Sequence, residues 1–320
     1  MSDLILITGG FGYLGGRIAL RVRADLQLPV RLGSRRKLAP PAWLPEADVA
    51  VVDMLEAATF DQALRGVKAV VHLAALNDEE CEADRDKALR VNTLGTRSLL
   101  EAAVRAGVER FIYLSTAHVY GAPLTGHITE NSPTHTVRPY AMTHLAAEEF
   151  VLAAHHNKSI IGTVLRLSNG FGFPVHPGVN TWMLLINDLC MQAVRDRQLV
   201  LRSSGSQLRN FIPLHDVGRV VCHFIRLPRE GSGDGLFNVG AEQAIPVWAM
   251  AQRVRSCCQD VLGFEPGIQR PQPLAAETVA VLDYDISKLK RTGFVFEGNI
   301  DDEICQTLRM CALKLKGQKE

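Results

Sequence analysis

The sequence predicts an α/β fold, a doubly wound and mainly parallel sheet followed by a smaller C-terminal lobe. Three observations predict it. Short apolar runs alternate with longer helix-period stretches through the first half of the chain. The first run closes on glycines that open a helix, Thr8-Gly9-Gly10-Phe11-Gly12-Tyr13-Leu14-Gly15. After Leu167 the alternation loosens into turns, helices and brief strands. Apolar strands separated by helices need cover on both faces, which parallel connections supply.

The elements follow in order. Leu4 to Thr8 is an apolar strand, and helix signal runs from about Tyr13 to Ala24. Further strands are expected at Val30–Gly33, Val49–Val52, Ala69–Leu73, Phe111–Ser115 and Ile160–Leu165. Between them lie expected helices at Met54–Leu64, Asp84–Ala106 and Tyr140–Ala154. Gly170 to Pro177 is a turn-rich break. Helices are then expected at Thr181–Arg195, Asp216–Arg226, Pro246–Asp260 and Asp301–Lys314, with small strands at Leu199–Leu201, Leu236–Val239 and Val279–Leu282. Pro228 to Gly235 reads as an exposed loop.

The chain has 320 residues, enough for one large core or two closely packed lobes. Its formal charge of +1 gives no general nucleic-acid footprint. Arg35-Arg36-Lys37 and the stretch from Lys314 to Lys319 are short basic clusters, the second read as solvated surface. Seven scattered cysteines, an odd number with no C-x-x-C, argue against a disulfide framework. Met1 to Ile7 runs straight into a strand and is too short for a signal peptide or membrane span, so a cytoplasmic protein without membrane partners is expected.

Gly9, Gly12 and Gly15 have G-x-x-G-x-x-G spacing between a strand and a helix, the setting of a Rossmann-type dinucleotide site. Glycine allows the tight turn and the close backbone approach to a pyrophosphate, and unpaired N–H groups at the helix start hold the anion. Phe11, Tyr13 and Leu14 belong to the same turn. An NAD-selective site usually ends its second strand with Asp or Glu. Here Leu32 is followed by Gly33-Ser34-Arg35-Arg36, a hydroxyl and two guanidinium groups suited to a 2′-phosphate, so NADP is expected over NAD. Asp53, followed by Met54, can cap the next helix or accept from an adenine amino group.

With these motifs the chain resembles the extended branch of the short-chain dehydrogenase/reductase superfamily, the nucleotide-sugar epimerases, dehydratases and reductases. The anchors are Thr8-Gly9-x-x-Gly12-x-x-Gly15, Asp53, His72-Leu-Ala-Ala75, Val91-Asn92-x-x-Gly95-Thr96 and Leu114-Ser-Thr-Ala-His-Val-Tyr-Gly121. Tyr140, Arg166-Leu-Ser-Asn169 and Arg209-Asn-Phe-Ile-Pro-Leu-His-Asp216 complete them. The resemblance implies residues 1–168 as the dinucleotide-binding domain with the catalytic helix. Residues 169–320 would form mainly the substrate-binding lobe, with segments crossing back. Leu73, Ala74, Ala75, Leu114 and Leu167 would border the cofactor, and Asn92 would brace the long helix there.

The resemblance also makes Thr116 the hydroxyl that orients the substrate oxygen and Tyr140 the acid or base that exchanges its proton. Hydride movement at carbon must be matched by proton movement at oxygen, which a fixed tyrosine can perform. The departure is His144. It lies four residues after Tyr140, on the same helix face, where the family carries lysine. Histidine can donate to a ribose hydroxyl but is charged only part of the time near neutrality. Three alternatives stay open: His144 as a weaker substitute, an acid/base elsewhere, or a cofactor-binding protein with little turnover. Ala117 and His118 replace the Asp-Glu pair that follows this Thr in family dehydratases, which disfavours 4,6-dehydration.

For the substrate, Asn169 and Arg209 match family contacts to a nucleotide diphosphate, and Arg270 roughly matches a second phosphate arginine. Asn77, with Asp78 or Glu79, would face the sugar, as would Ala117 and His118. Cys81 reads as packing. His118, His176 and His215 show no metal-ligand spacing, and no metal site is expected. The leading expectation is an NADP-dependent oxidoreductase acting on a keto or hydroxyl carbon of a nucleotide-linked sugar. The alternatives are an epimerase with retained NAD(P) and a low-activity cofactor-binding protein. The resemblance further implies a homodimer through a four-helix interface, with Leu99, Leu100, Ala103, Leu145 and Val151 as candidate positions.

Overall fold

The computed structural model describes residues 3–273 and 279–317; Met1, Ser2, Gln318 and Lys319 of the short segments named above lie outside them. Seven parallel strands form the main sheet, in the order Leu236–Val239, Ile161–Leu167, Arg110–Thr116, Val67–His72, Leu4–Thr8, Val30–Ser34 and Asp48–Val51. Leu4–Thr8 is wholly buried and pairs Ile5 with Val30 and Thr8 with Gly33. Its other neighbour is Val67–His72, so the order reverses there and opens a crevice beyond the strand ends. One apolar cluster holds Ile5, Ile7, Leu32 and Val71 against Ile18 and Val221. On the opposite face Leu6, Val70 and Phe111 pack with Leu99, Ala103 and Val151.

Three expectations change at this level. Met54–Leu64 is not one helix; it holds a 3-10 turn at Ala57–Thr59 and a short α turn at Phe60–Ala63. The stretch Asp84–Ala106 contains a wider π turn over Leu89–Gly95 between the α segments Arg85–Ala88 and Thr96–Arg105. Gly95 lies against Met54 there, and a Cβ on it would meet Met54 O at 2.8 Å. Pro228–Gly235 is not fully exposed, because a 3-10 turn at Arg229–Ser232 buries Ser232. The positions named for a dimer interface also turn inward. Leu99, Leu100, Ala103 and Val151 are buried against the sheet and Leu145 is half-buried, whereas Leu89, Leu94 and Met142 face outward.

The C-terminal lobe packs the helices Leu185–Asp196, Val247–Leu262 and Ile300–Lys316 around Leu189, Met250 and Leu308. Small strands missed in the sequence run through it. Asn169–Phe171 pairs in parallel with Leu208–Pro213, which pairs antiparallel with Ala244–Pro246. The lobe is tied to the glycine turn. Tyr13 donates its hydroxyl to Gly172 O at 2.9 Å, and Arg17 makes a two-pronged bond to buried Glu303 at 2.6 and 3.1 Å. No described helix is long and apolar enough to cross a membrane.

Candidate active site

Two cavities meet the C-terminal strand ends. The first, about 610 Å³, lies over the glycine turn. Gly9 takes φ +64°, and a Cβ on Gly15 would meet Gly9 O at 2.2 Å, so the turn closes only with glycine. The helix Tyr13–Arg21 starts at Gly12 without a side-chain cap, leaving its first N–H groups for a ligand. Gly9, Phe11, Gly12, Tyr13, Leu14 and Gly15 line this cavity, with Ser34, Arg35, Asp53, Met54, Leu73, Ala74 and Ala75 around it. An uncapped helix start above a glycine cradle fits a dinucleotide pyrophosphate.

Several residues expected at the cofactor lie elsewhere. Arg36 is exposed and does not line the cavity; its N–H bonds Ser34 Oγ at 3.2 Å within the turn. Leu114 and Leu167 pack into the apolar cluster behind the crevice. Asn92 is buried and braces the backbone instead, accepting from Leu76 N at 2.7 Å and donating to Thr143 Oγ1 at 3.1 Å. Lys87, unnoticed in the sequence, reaches the cavity from the helix start that Asp84 caps.

The second cavity, about 730 Å³, is lined by Asn77, Thr116, His118, Tyr140, Asn169 and Arg209 among others. The strand Arg110–Thr116 delivers Thr116 at its end, and the helix Pro139–His156 delivers Tyr140 in its first turn. Thr116 Oγ1 accepts from His118 N at 3.2 Å, which leaves its own O–H to donate. The Arg209 side chain makes no hydrogen bond or ion pair among the described residues, and it shares the cavity with Arg202, which sequence reading did not single out. Arg270 does not line it: its guanidinium stacks 3.6 Å above Trp248 and donates to Ser204 O at 2.7 Å. Ala117 is buried beneath the wall, and Asp78 faces Arg138 at 3.5 Å. Cys81 is fully buried and bonds Leu76 O through sulfur. Among the described residues no group of three or more His, Cys, Asp or Glu could hold a metal.

Electrostatics set this site apart. Burial pushes Tyr140 up to about 12, with lesser contributions from Cys81 and Asp78. The His144 ring lies 4.5 Å from the Tyr140 ring, centroid to centroid, and lines neither cavity. Burial pushes His144 down to about 4, so at neutral pH it places no positive charge beside the tyrosine. Both shifts have the same origin: desolvation favours the neutral form of each ring.

A glycine-turn crevice beside a cavity bearing a tyrosine and a threonine is the layout of dinucleotide-dependent chemistry at an alcohol or carbonyl carbon. The relationship is direct: the chain belongs to the NAD dependent epimerase/dehydratase family, whose model matches residues 5–240. It is therefore an NAD(P)-dependent enzyme. The UDP-glucose 4-epimerase of Azospirillum brasilense is 29% identical over 260 residues, covering 75% of this chain and 73% of the relative. The dTDP-glucose 4,6-dehydratase of Streptomyces niveus is 28% identical over 275 residues, covering 79% and 77%. Among solved structures, MoeE5 in complex with UDP-glucuronic acid and NAD is 25% identical, with a TM-score of 0.75 over 96% of this chain and 98% of its own.

These comparisons overturn the expectation of NADP. MoeE5, 25% identical, carries NAD both with UDP-glucuronic acid and with UDP-glucose, and the matching family model is itself described as NAD dependent. The geometry supplies the reason. Of the two arginines read as a 2′-phosphate clamp, only Arg35 borders the cavity, and the Asp53 carboxylate borders it too.

Proposed function

We propose that this chain is an NAD-using epimerase of nucleotide-linked hexoses that inverts a hydroxyl-bearing carbon, C4 in the first instance. The carrying observation is the layout of the larger cavity, which places Thr116 and Tyr140 on the same walls as Arg202 and Arg209. The likeness to a UDP-glucose 4-epimerase supports the reading, as does the MoeE5 complex with a nucleotide sugar and NAD. Ala117 and His118 provide no carboxylate pair for elimination, which weighs against the dehydratase relatives.

In this reading Arg202 and Arg209 grip the diphosphate through charge-assisted bonds. The sugar then extends toward Thr116, whose O–H donates to the reacting oxygen. Tyr140, once it has given up its own proton to solvent, takes the sugar hydroxyl proton at Oη as the phenolate and later returns it. The dinucleotide, held at the glycine turn and Asp53, supplies reversible hydride acceptance. Incubation of the purified protein with UDP-glucose, UDP-galactose and dTDP-glucose, followed by NMR of the sugars, tests the proposal. The C4 epimer should form without net change in cofactor. A keto-deoxy sugar product, or reduced cofactor accumulating in step with oxidised sugar, would assign the chain to another reaction.

A further inference from the structure

The ring that replaces the family lysine is itself held by a tyrosine. Tyr113 stacks between His72 and His144, with centroids 5.6 and 5.7 Å apart and planes within 26° and 23°. Its hydroxyl lies 2.7 Å from His144 Nδ1, and both side chains are buried. Neither makes another hydrogen bond among the described residues, and His144 Nε2 is buried without a partner.

Hydrogen-bond accounting chooses the tautomer. If Nδ1–H donated to the phenol oxygen, the phenol proton and the Nε2 lone pair would both be unmet. If the phenol donates to Nδ1, only Nε2–H is unmet. The second arrangement leaves fewer buried orphans. The neighbouring His72 is fully engaged and neutral. Thr96 gives its proton to Asn92 O at 2.6 Å, so His72 Nε2–H donates to Thr96 Oγ1 at 2.8 Å and Nδ1 accepts from Thr8 at 2.7 Å. No charge in this stack therefore pulls His144 toward another form.

We infer that Tyr113 is a positioning residue for His144: its phenol fixes the ring as the neutral Nε2–H tautomer and reserves that N–H as an uncharged donor for the dinucleotide ribose. The inference rests on the proposed binding of NAD in the adjoining crevice. Because Nε2 is enclosed, a ribose hydroxyl reaches it only with a shift in the packing around Tyr140, whose ring is its neighbour.

The test is nitrogen NMR of the full chain labelled with 15N-histidine, with and without NAD, beside NAD titrations. In the ligand-free protein at neutral pH, His144 should show a protonated Nε2 and an unprotonated Nδ1. NAD should shift the Nε2–H signal. Tyr113→Phe should mix the tautomers and weaken NAD about three- to tenfold, the scale of one neutral hydrogen bond. An Nδ1–H tautomer or an imidazolium in the unmodified protein overturns the inference even if Tyr113→Phe does not fold. An unchanged tautomer in a folded Tyr113→Phe does the same. Unaltered NAD affinity in His144→Ala removes the ribose role while leaving NAD binding intact. Failure of the unmodified protein to bind NAD instead sinks the functional proposal itself.

Discussion

His144 places no positive charge beside Tyr140, and the tyrosine's proton is held tightly: burial has moved Tyr140 up to about 12 and His144 down to about 4. To accept a proton from a sugar hydroxyl, Tyr140 must first lose its own, so the rate of the oxidative half-reaction should climb with pH from about 7 to 9. His144→Lys would place a permanent positive charge there and should flatten that climb; pre-steady-state rates across pH would reveal it. Tyr140→Phe should lower turnover by about 10²–10⁴-fold, the usual worth of a positioned acid/base, with NAD affinity retained. For Arg209→Ala, the expected loss is about 1.5–3 kcal/mol in nucleotide-sugar binding. Calorimetry should find NAD binding unaltered, and an unaffected sugar nucleotide would contradict the diphosphate assignment. The family resemblance singled out Tyr140, Thr116 and Arg209, and all three line the larger cavity. The sequence could not disclose Tyr113 or Arg202, whose roles come from contacts distant in sequence. Arg270 misled because its stacking partner, Trp248, lies in another helix.

At the level of elements, the helix Pro139–His156 is the part that positions the chemistry. Tyr140, His144 and Glu148 fall at four-residue spacing on one face. Glu148 is fully buried and bonds Arg166 on the neighbouring strand at 3.0 and 2.6 Å, and Ser115, next to Thr116, donates to it. The buried ion pair thus joins the helix of Tyr140 to the strand Ile161–Leu167, and the Ser115 bond joins it to the strand of Thr116. Removing one partner leaves the other charge stranded, so Glu148→Ala should cost about 3–5 kcal/mol in denaturant unfolding. A change under 1 kcal/mol would show that water or repacking accommodates Arg166. The main strands were legible from apolar runs and glycine breaks. The π turn at Leu89–Gly95 was not, since no local period marks it and Gly95 meets Met54, which is distant in sequence. The strands Asn169–Phe171 and Leu208–Pro213 were also hidden, the first by its brevity and the second because Arg209 and Asn210 interrupt its apolar run.

For the molecule as a whole, the glycine turn, the substrate cavity and the C-terminal lobe form one connected structure, linked by Tyr13 to Gly172 and by Arg17 to Glu303. Its stability should record the neutral histidines beneath the site. Burial lowers His72 to about 3 and His144 to about 4, against 6.5 when exposed. Between about pH 6.5 and 4 the unfolded chain binds up to two more protons at these residues than the folded one. Their contribution is therefore complete above pH 6.5 and declines as pH falls, until the folded rings also protonate. Urea melts from pH 7.5 to 4.5 should show that decline, with a shallower slope in His144→Gln. A pH-independent midpoint over this range would mean that both rings bind protons in the folded chain as readily as in the unfolded one.

The central claim is that hydride leaves and returns to the same sugar carbon while Tyr140 moves the proton. The most direct measurement uses UDP-glucose deuterated at C4, incubated with the protein as purified, with product deuterium located by NMR. The account predicts UDP-galactose carrying deuterium at C4, no release of reduced cofactor, and conversion slowed by about 10²–10⁴-fold in Tyr140→Phe. Deuterium lost to water, transferred to C6 or left in released NADH would contradict it.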